Sequence, residues 1–277
     1  MTDHLIDTIH KLRIPKVILR YIMMNFLDFN TITNLLFAVK EMNVLDNYSK
    51  NLLIKAKNGF IYNCQYGHLT VAKWLYSFGV DIHADNERAF IFSCKNGHLT
   101  VAQWLYSLGG VNIHVYSECV FRFSCQYGHL AVAKWLYSLG EGMDRTDILS
   151  SGIKGAGKID IHVGKEYAFH FACVNNHLTI AQWLYSLGEV DIHADDELAF
   201  ISSCENGHLT VAKWLYSLGD VNIHADNENA FRWSCAKGHL TVAKWLYSLG
   251  GVDIHAENEQ ALRYAKSNTL DWLNTLL

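Results

Sequence analysis

GHLTVAKWLYSFGVDIHADNE, residues 67–87, returns as GHLTVAQWLYSLGGVNIHVYSE at residues 97–118, and further copies start at Gly128, Asn176, Gly207 and Gly238. The histidines that follow the opening residue, His68, His98, His129, His177, His208 and His239, are spaced 30, 31, 48, 31 and 31 apart. The period is therefore 31 residues, and one interval carries 17 extra. A unit this short cannot bury its apolar faces alone and must stack on its neighbours.

Within one unit, Glu87–Asn96 (ERAFIFSCKN) reads as a short first helix. Asn86 is placed as its N-cap, with Ser117, Asp196, Asn227 and Asn258 at the same position elsewhere. Glutamate follows in six units, as Glu87, Glu118, Glu166, Glu197, Glu228 and Glu259, where the helix dipole favours a carboxylate. Gly97 stops the helix in a left-handed conformation; Asn176, the next-best residue for positive φ, replaces glycine once. Leu99–Leu108 is the second helix. Val101, Trp104, Leu105 and Leu108 fall at i, i+3, i+4 and i+7 and predict a buried stripe, opposite Thr100, Gln103 and Ser107. Gly109 ends it, and Gly110–Tyr116 leads onward as a finger in which Val111 and Ile113 alternate with polar residues.

The pattern G-H-L-T-V-A-x-W-L-Y-S-L-G-x-V-D-I-H-A-D resembles the ankyrin repeat, from about Asn58 to the C-terminus. The resemblance implies an all-α ankyrin-repeat α-solenoid of about seven helix-turn-helix units with finger loops, spanning residues 51–277, with fingers and first helices forming a concave face. The family's T-P-L-H is replaced, for example by Arg88-Ala89-Phe90-Ile91, and the unit is two residues short of the family's roughly 33. Near-identical copies of this unit resemble the large ankyrin families of giant DNA viruses. The last unit, Glu259–Leu277, reads without gaps as a C-terminal cap: Gly-His becomes Asn268-Thr269 and Trp becomes Thr275.

The extra residues fall in Glu141–Lys158, EGMDRTDILSSGIKGAGK, whose glycines and serines predict a flexible surface insertion. Gly152–Lys158 superficially fits G-x-x-x-x-G-K, but a phosphate loop needs Ser or Thr next and a helix after, and Ile159 and a finger follow instead. Residues 1–50 do not repeat; apolar periods predict helices separated by turns, a helical N-terminal segment. From Ile14-Pro15 through Ile18, Leu19, Ile22 and Leu27 to Leu36 this segment resembles the start of an F-box, which implies docking to a Skp1-like adaptor of a cullin-type ubiquitin ligase. The alternative is a cap shielding the first repeat.

Half of the 277 residues are hydrophobic, which supports a core and excludes wholesale disorder. Apolar runs such as Leu35–Val39 are too short to span a bilayer, so no membrane association is expected. The first residues, with Asp3 and Asp7, do not make a secretory signal. The net charge of −4 gives no general reason to expect nucleic acid binding. Seven cysteines, six of them at one repeated position, suit buried thiols in a reducing compartment, hence the cytoplasm, the host's if the chain is viral.

Twelve of fifteen histidines form two ladders, one after the helix-ending glycine and one in the fingers (His83, His114, His162, His193, His224, His255). Each ladder repeats with the unit, which spaces like residues too far apart to share metal bonds of ~2 Å; no metal or cofactor is expected. No nucleophile elbow, carboxylate pair or zinc motif appears, and catalysis needs a unique, asymmetric site, so no enzyme is expected. From residue 51 on there are 22 acids and 17 Lys/Arg, and all acids but Glu205 and Asp271 lie in fingers, first turns or the insertion. Asp85, Asn86, Asp195, Asp196, Asp226, Asn227, Glu257 and Asn258 are therefore the candidate partner-binding residues, suited to a basic segment, with Lys73, Lys134, Lys213 and Lys244 on the opposite side. The expected function is non-enzymatic protein binding. The alternatives are an F-box adaptor and, from the enzyme class, a nucleotide-dependent activity at the glycine-rich insertion.

Overall fold

A computed structural model describes residues 58–77, 79–140 and 157–277. The helical N-terminal segment, its F-box-like positions and all of the insertion before Gly157 lie outside the described residues. The chain divides into two compact units, Met1–Phe92 and Ser93–Leu277.

In the first unit, residues 58–65 are helical, α1 spans Leu69–Tyr76, and a finger leads into α2, Ala84–Lys95, whose last turn belongs to the second unit. Phe60, Cys64 and Phe90 are at most 1% exposed. The second unit continues with α3 (Leu99–Ser107), α4 (Val115–Gln126), α5 (Leu130–Leu139), α6 (Val163–Val174), α7 (Leu178–Ser186), α8 (Ala194–Glu205), α9 (Leu209–Ser217), α10 (Ala225–Lys237), α11 (Leu240–Ser248), α12 (Ala256–Tyr264) and α13 (Ser267–Leu273). First helices pack on first helices, α6 on α8 and α8 on α10, while α5, α7, α9 and α11 pack on the first helices of their own pairs.

The repeat register explains the core. Phe121, Phe169, Phe200 and Phe231 occupy one position and are fully buried, as are the cysteines four residues later. Val211, Ala212 and Leu215 close the pair from the second helix, and Val111 and Ile113 bury the finger, as the alternation predicts. Gly207 has φ 77° and Asn176 φ 62°, and the next N–H, that of His208, reaches back to the Ser203 carbonyl (2.9 Å), the Schellman arrangement that ends a helix.

Three expectations need correction. The indoles of the second helices after the first are not fully buried. Val101 and Leu105 are buried, but Trp104, Trp135, Trp183, Trp214 and Trp245 keep an edge at the surface. The indole is too large for the gap within one helix pair and projects toward the pair before it: Trp214 lies 6.1 Å from Phe169 and 6.0 Å, edge-on, from Tyr185. Lys213 then sits 6.0 Å above the Trp245 ring, so the second-helix lysines share in this packing.

The second correction concerns the N-caps. Asn86, Ser117, Asp196, Asn227 and Asn258 are each the middle of three consecutive left-handed residues, such as Asp195, Asp196 and Glu197 at φ 51°, 55° and 66°. Asp and Asn are favoured both at N-caps and at positive φ, so residue type alone does not separate the two roles. The left-handed turn is held from outside: Arg122 donates to the Ser117 and Tyr116 carbonyls (2.8 and 2.9 Å), and Arg232 to those of Asn227 and Asp226 (2.7 and 2.9 Å).

The third concerns the last unit, which is not gapless. Trp272, not Thr275, packs on Phe231 and Tyr247 as Trp245 packs on Phe200 and Tyr216. Lys266 lies against Gly238 where His239 lies against Gly207. The register shift is one helical turn, missing from the end of the first helix: α12 has 9 residues and α10 has 13.

Candidate functional site

The fingers are built by local bonds. In each, an Asp or Asn accepts from the histidine N–H two residues on, as Asp191 Oδ1 does from His193 (2.9 Å) and Asn222 Oδ1 from His224 (3.1 Å). The acidic finger positions therefore have a structural task. The histidine ring turns to the glutamate four residues later: Nδ1 of His114, His162, His193 and His224 lies 2.6–2.8 Å from Glu118, Glu166, Glu197 and Glu228. These carboxylates are buried, and Glu197 Oε1 also accepts the N–H of Asn222 in the next finger (3.1 Å). Glu228 does the same for Asp253 (3.3 Å), whereas Glu259 in the last unit is exposed. One glutamate thus ties a finger to its helix and to the finger beyond, a role that the helix-dipole reading missed.

The second histidine ladder also links repeats. His208 Nε2 donates to the Val174 carbonyl (2.9 Å) of the preceding pair. Burial pushes His129 and His208 below the usual imidazole value, against the raising effect of their carbonyl partners, Lys95 and Val174. His114 is raised, chiefly by its bond to Glu118. His170, on a first helix, contacts Ser202 Oγ (3.2 Å) and is lowered by burial.

The candidate residues stand at the left-handed turns. Asp85 and Asn86 belong to the first compact unit, and Asp195, Asp196, Asp226, Asn227, Glu257 and Asn258 to the second; all are exposed. Equivalent turns of successive repeats touch: Lys165 Nζ pairs with Asp195 (2.5 Å), and Asn227 Nδ2 donates to Glu257 (2.6 Å). Asp226 accepts instead from Asn229 within its own helix. Lys165 puts a cation in the row, so the row is not uniformly acidic.

Beside that row runs a set of residues that the sequence reading passed over. Where helix two is nearly the same in every copy, the outer face of helix one differs: Phe123, Phe171, Ser202, Trp233 and Tyr264 share one position, and Tyr167, Leu198, Asn229 and Gln260 another. Several carry cations over rings, with Lys95 5.4 Å from Phe123, Arg122 4.6 Å from Tyr167 and Lys237 5.6 Å from Trp233. Tyr127, Trp233 and Tyr264 are exposed. The signal was available as variation between copies, because a core position must repeat and a recognition position need not.

All seven cysteines are free and buried; burial pushes Cys64 and Cys235 up to about 12 and Cys119 up to about 11, away from the reactive thiolate. Among the described residues, no three His, Cys, Asp or Glu side chains are placed to hold a metal ion, and no helix is long and apolar enough to cross a membrane. After Gly157 and Lys158 the chain runs as a finger with Ile159 buried, and α6 opens only at Val163, so the helix N-terminus that a phosphate loop requires does not follow it.

A family model described as "Ankyrin repeats (3 copies)" matches residues 60–148, 123–225 and 169–258. Among solved structures, the chain is similar to the crystal structure of the human ASB11 ankyrin repeat domain, at 17% identity and a TM-score of 0.49, covering 75% of this chain and 97% of that one. None of the curated proteins compared with the chain matches it.

Proposed function

The chain belongs to the ankyrin-repeat family, a family of protein-interaction modules, and from that premise we propose that it binds a protein partner through the face shared by its fingers and first helices. The observation that carries this reading is the contrast between buried and exposed positions across copies. The buried positions repeat because stacking uses them, from the phenylalanines to the His–Glu pairs, and the second helices repeat nearly unchanged, while the exposed face of the first helices varies. Variation confined to one face supports a role for that face in recognition. The exposed Asp195, Asp196, Asp226, Asn227, Glu257 and Asn258 border it in the second unit, Asp85 and Asn86 hold the same turn in the first, and all suit basic groups of a partner. The buried thiols fit a reducing compartment such as the cytoplasm, and the near-identity of the copies fits the giant-virus branch of the family. Affinity capture from the native cell, with cross-links mapped onto the chain, tests the reading; cross-links confined to the second helices contradict it.

A second reading rests on the F-box-like stretch from Ile14 to Leu36: an adaptor that brings the bound protein to a Skp1-containing ligase. A Skp1 pull-down with the full chain and with residues 1–50 removed decides it. Retention only by the full chain supports the adaptor, and no retention by either leaves binding alone.

A further inference from the structure

The missing helical turn in the last repeat opens a cleft. Because α12 stops at Tyr264, the final turn of α10 has no first helix alongside it. The cleft is about 380 Å³ in volume, and Trp233, Tyr264, Ala236 and Gln260 line it together with Arg232, Lys237 and Lys266. Three cations and no carboxylate line it, in a chain whose net charge is −4.

The three cations differ in availability. Arg232 is buried, and its guanidinium is committed to the Asn227 and Asp226 carbonyls. Lys237 is half exposed; its ammonium lies 5.6 Å above the Trp233 ring and makes a long ion pair with Glu205 (3.9 Å). Lys266 rests its stem on Gly238 and is exposed, with no ion-pair partner among the described residues. Trp233 is 37% exposed and Tyr264 63%, so two aromatic side chains reach solvent beside two exposed ammonium groups.

We infer that this cleft binds an extended acidic segment of a partner protein, seating a bulky apolar side chain between Trp233 and Tyr264 and a neighbouring Asp or Glu carboxylate against Lys237 and Lys266. The inference rests on the protein-binding reading and narrows it: the acidic finger rim and this cationic end select opposite charges, so the partner runs from a basic stretch to an acidic one. Aromatic anchors contribute most of the affinity in such contacts, and exposed charges mainly set selectivity.

The test is fluorescence polarisation with the full chain and three labelled probes: a glutamate–leucine peptide, a matched lysine–leucine peptide and a single-stranded oligothymidylate. The glutamate peptide should bind saturably, about tenfold tighter than the lysine peptide, and weaken as salt rises. Trp233→Ala and the pair Lys237→Gln, Lys266→Gln should each weaken it about tenfold, while Trp233→Phe keeps most of the binding and the helical circular dichroism stays unchanged in all three. Absence of saturable binding, equal binding of both peptides, indifference to the lysine pair, or tighter binding of the oligothymidylate overturns the inference. Substitutions at Asp195, Asp196, Asp226 and Asn227 should leave the glutamate peptide bound, so failure at the finger rim and failure at the cleft are read separately.

Discussion

Gly207 and His239 meet across a repeat boundary: a Cβ on Gly207 would fall 2.5 Å from Nδ1 of His239. The glycine is needed twice over, for its φ of 77° and for the imidazole of the next repeat. Gly207→Val should therefore cost about 2–4 kcal/mol, from the left-handed backbone and the displaced ring together. Gly207→Asn should cost less, because Asn176 already holds the equivalent place at φ 62°. Denaturant titration measures both, and equal stability of the two variants contradicts the helix-stop assignment.

Glu197 is expected to outweigh any exposed acid in stability. Glu197→Ala leaves the His193 ring and the Asn222 N–H without their acceptor, at a cost of about 2–4 kcal/mol. Glu197→Gln keeps an oxygen and should recover much of the loss. An alanine variant as stable as the parent removes the inter-finger tie from the account.

Trp214→Ala should destabilise by about 2–4 kcal/mol, at the lower side of the range for core aromatics because one edge of the indole is already wet. Lys213→Glu should cost about 0.5–1 kcal/mol by removing a cation from above the Trp245 ring. A loss under about 1 kcal/mol for Trp214→Ala is the result that contradicts the inter-repeat packing.

Acid should loosen the stack. His129 and His208 are held below the usual imidazole value by burial, so the unfolded chain binds protons first as the pH falls. Their stabilisation is complete above the ordinary value of about 6.5 and is lost as the pH falls through it toward their lowered values. His114, raised by Glu118, acts in the opposite sense, with a contribution lost as the pH rises through its raised value. The lowered groups, which include His170, outnumber the raised one, so the urea midpoint should drop between about pH 7.5 and 5.5, and His208→Gln should flatten that slope. An unchanged slope in the variant contradicts the assignment.

Much of this fold was legible in the sequence because a 31-residue period fixes which residues are equivalent, and equivalence fixes the core. The buried cysteine position, the fingers and the helix-stopping Gly207 followed directly. The left-handed turns did not, because Asp196 and Asn227 carry the same preference for an N-cap as for positive φ. Nor did the end of the stack: Asn268 and Thr269 continue the period in sequence, and only packing reveals that Trp272 and Lys266 take the places of Trp245 and His239. The candidate residues were found on the exposed rim as acids and amides, while the aromatic row with Trp233 and Tyr264 was passed over because it varies where the rest repeats.

The central claim is that recognition uses fingers and first helices. It is tested most directly by measuring capture of the native partner by two charge-altered variants. In one, Asp195, Asp196, Asp226 and Asn227 become Lys, which the turn tolerates since Lys165 already occupies it at φ 58°. In the other, the exposed Thr179, Thr210 and Thr241 of the second helices become Lys; these sites are preferable to the second-helix lysines, which lie over tryptophans. The account predicts that the first set loses capture with its helical circular dichroism intact and that the second set retains it. Loss of capture by the threonine set with retention by the acidic set would place recognition on the second helices and contradict the account.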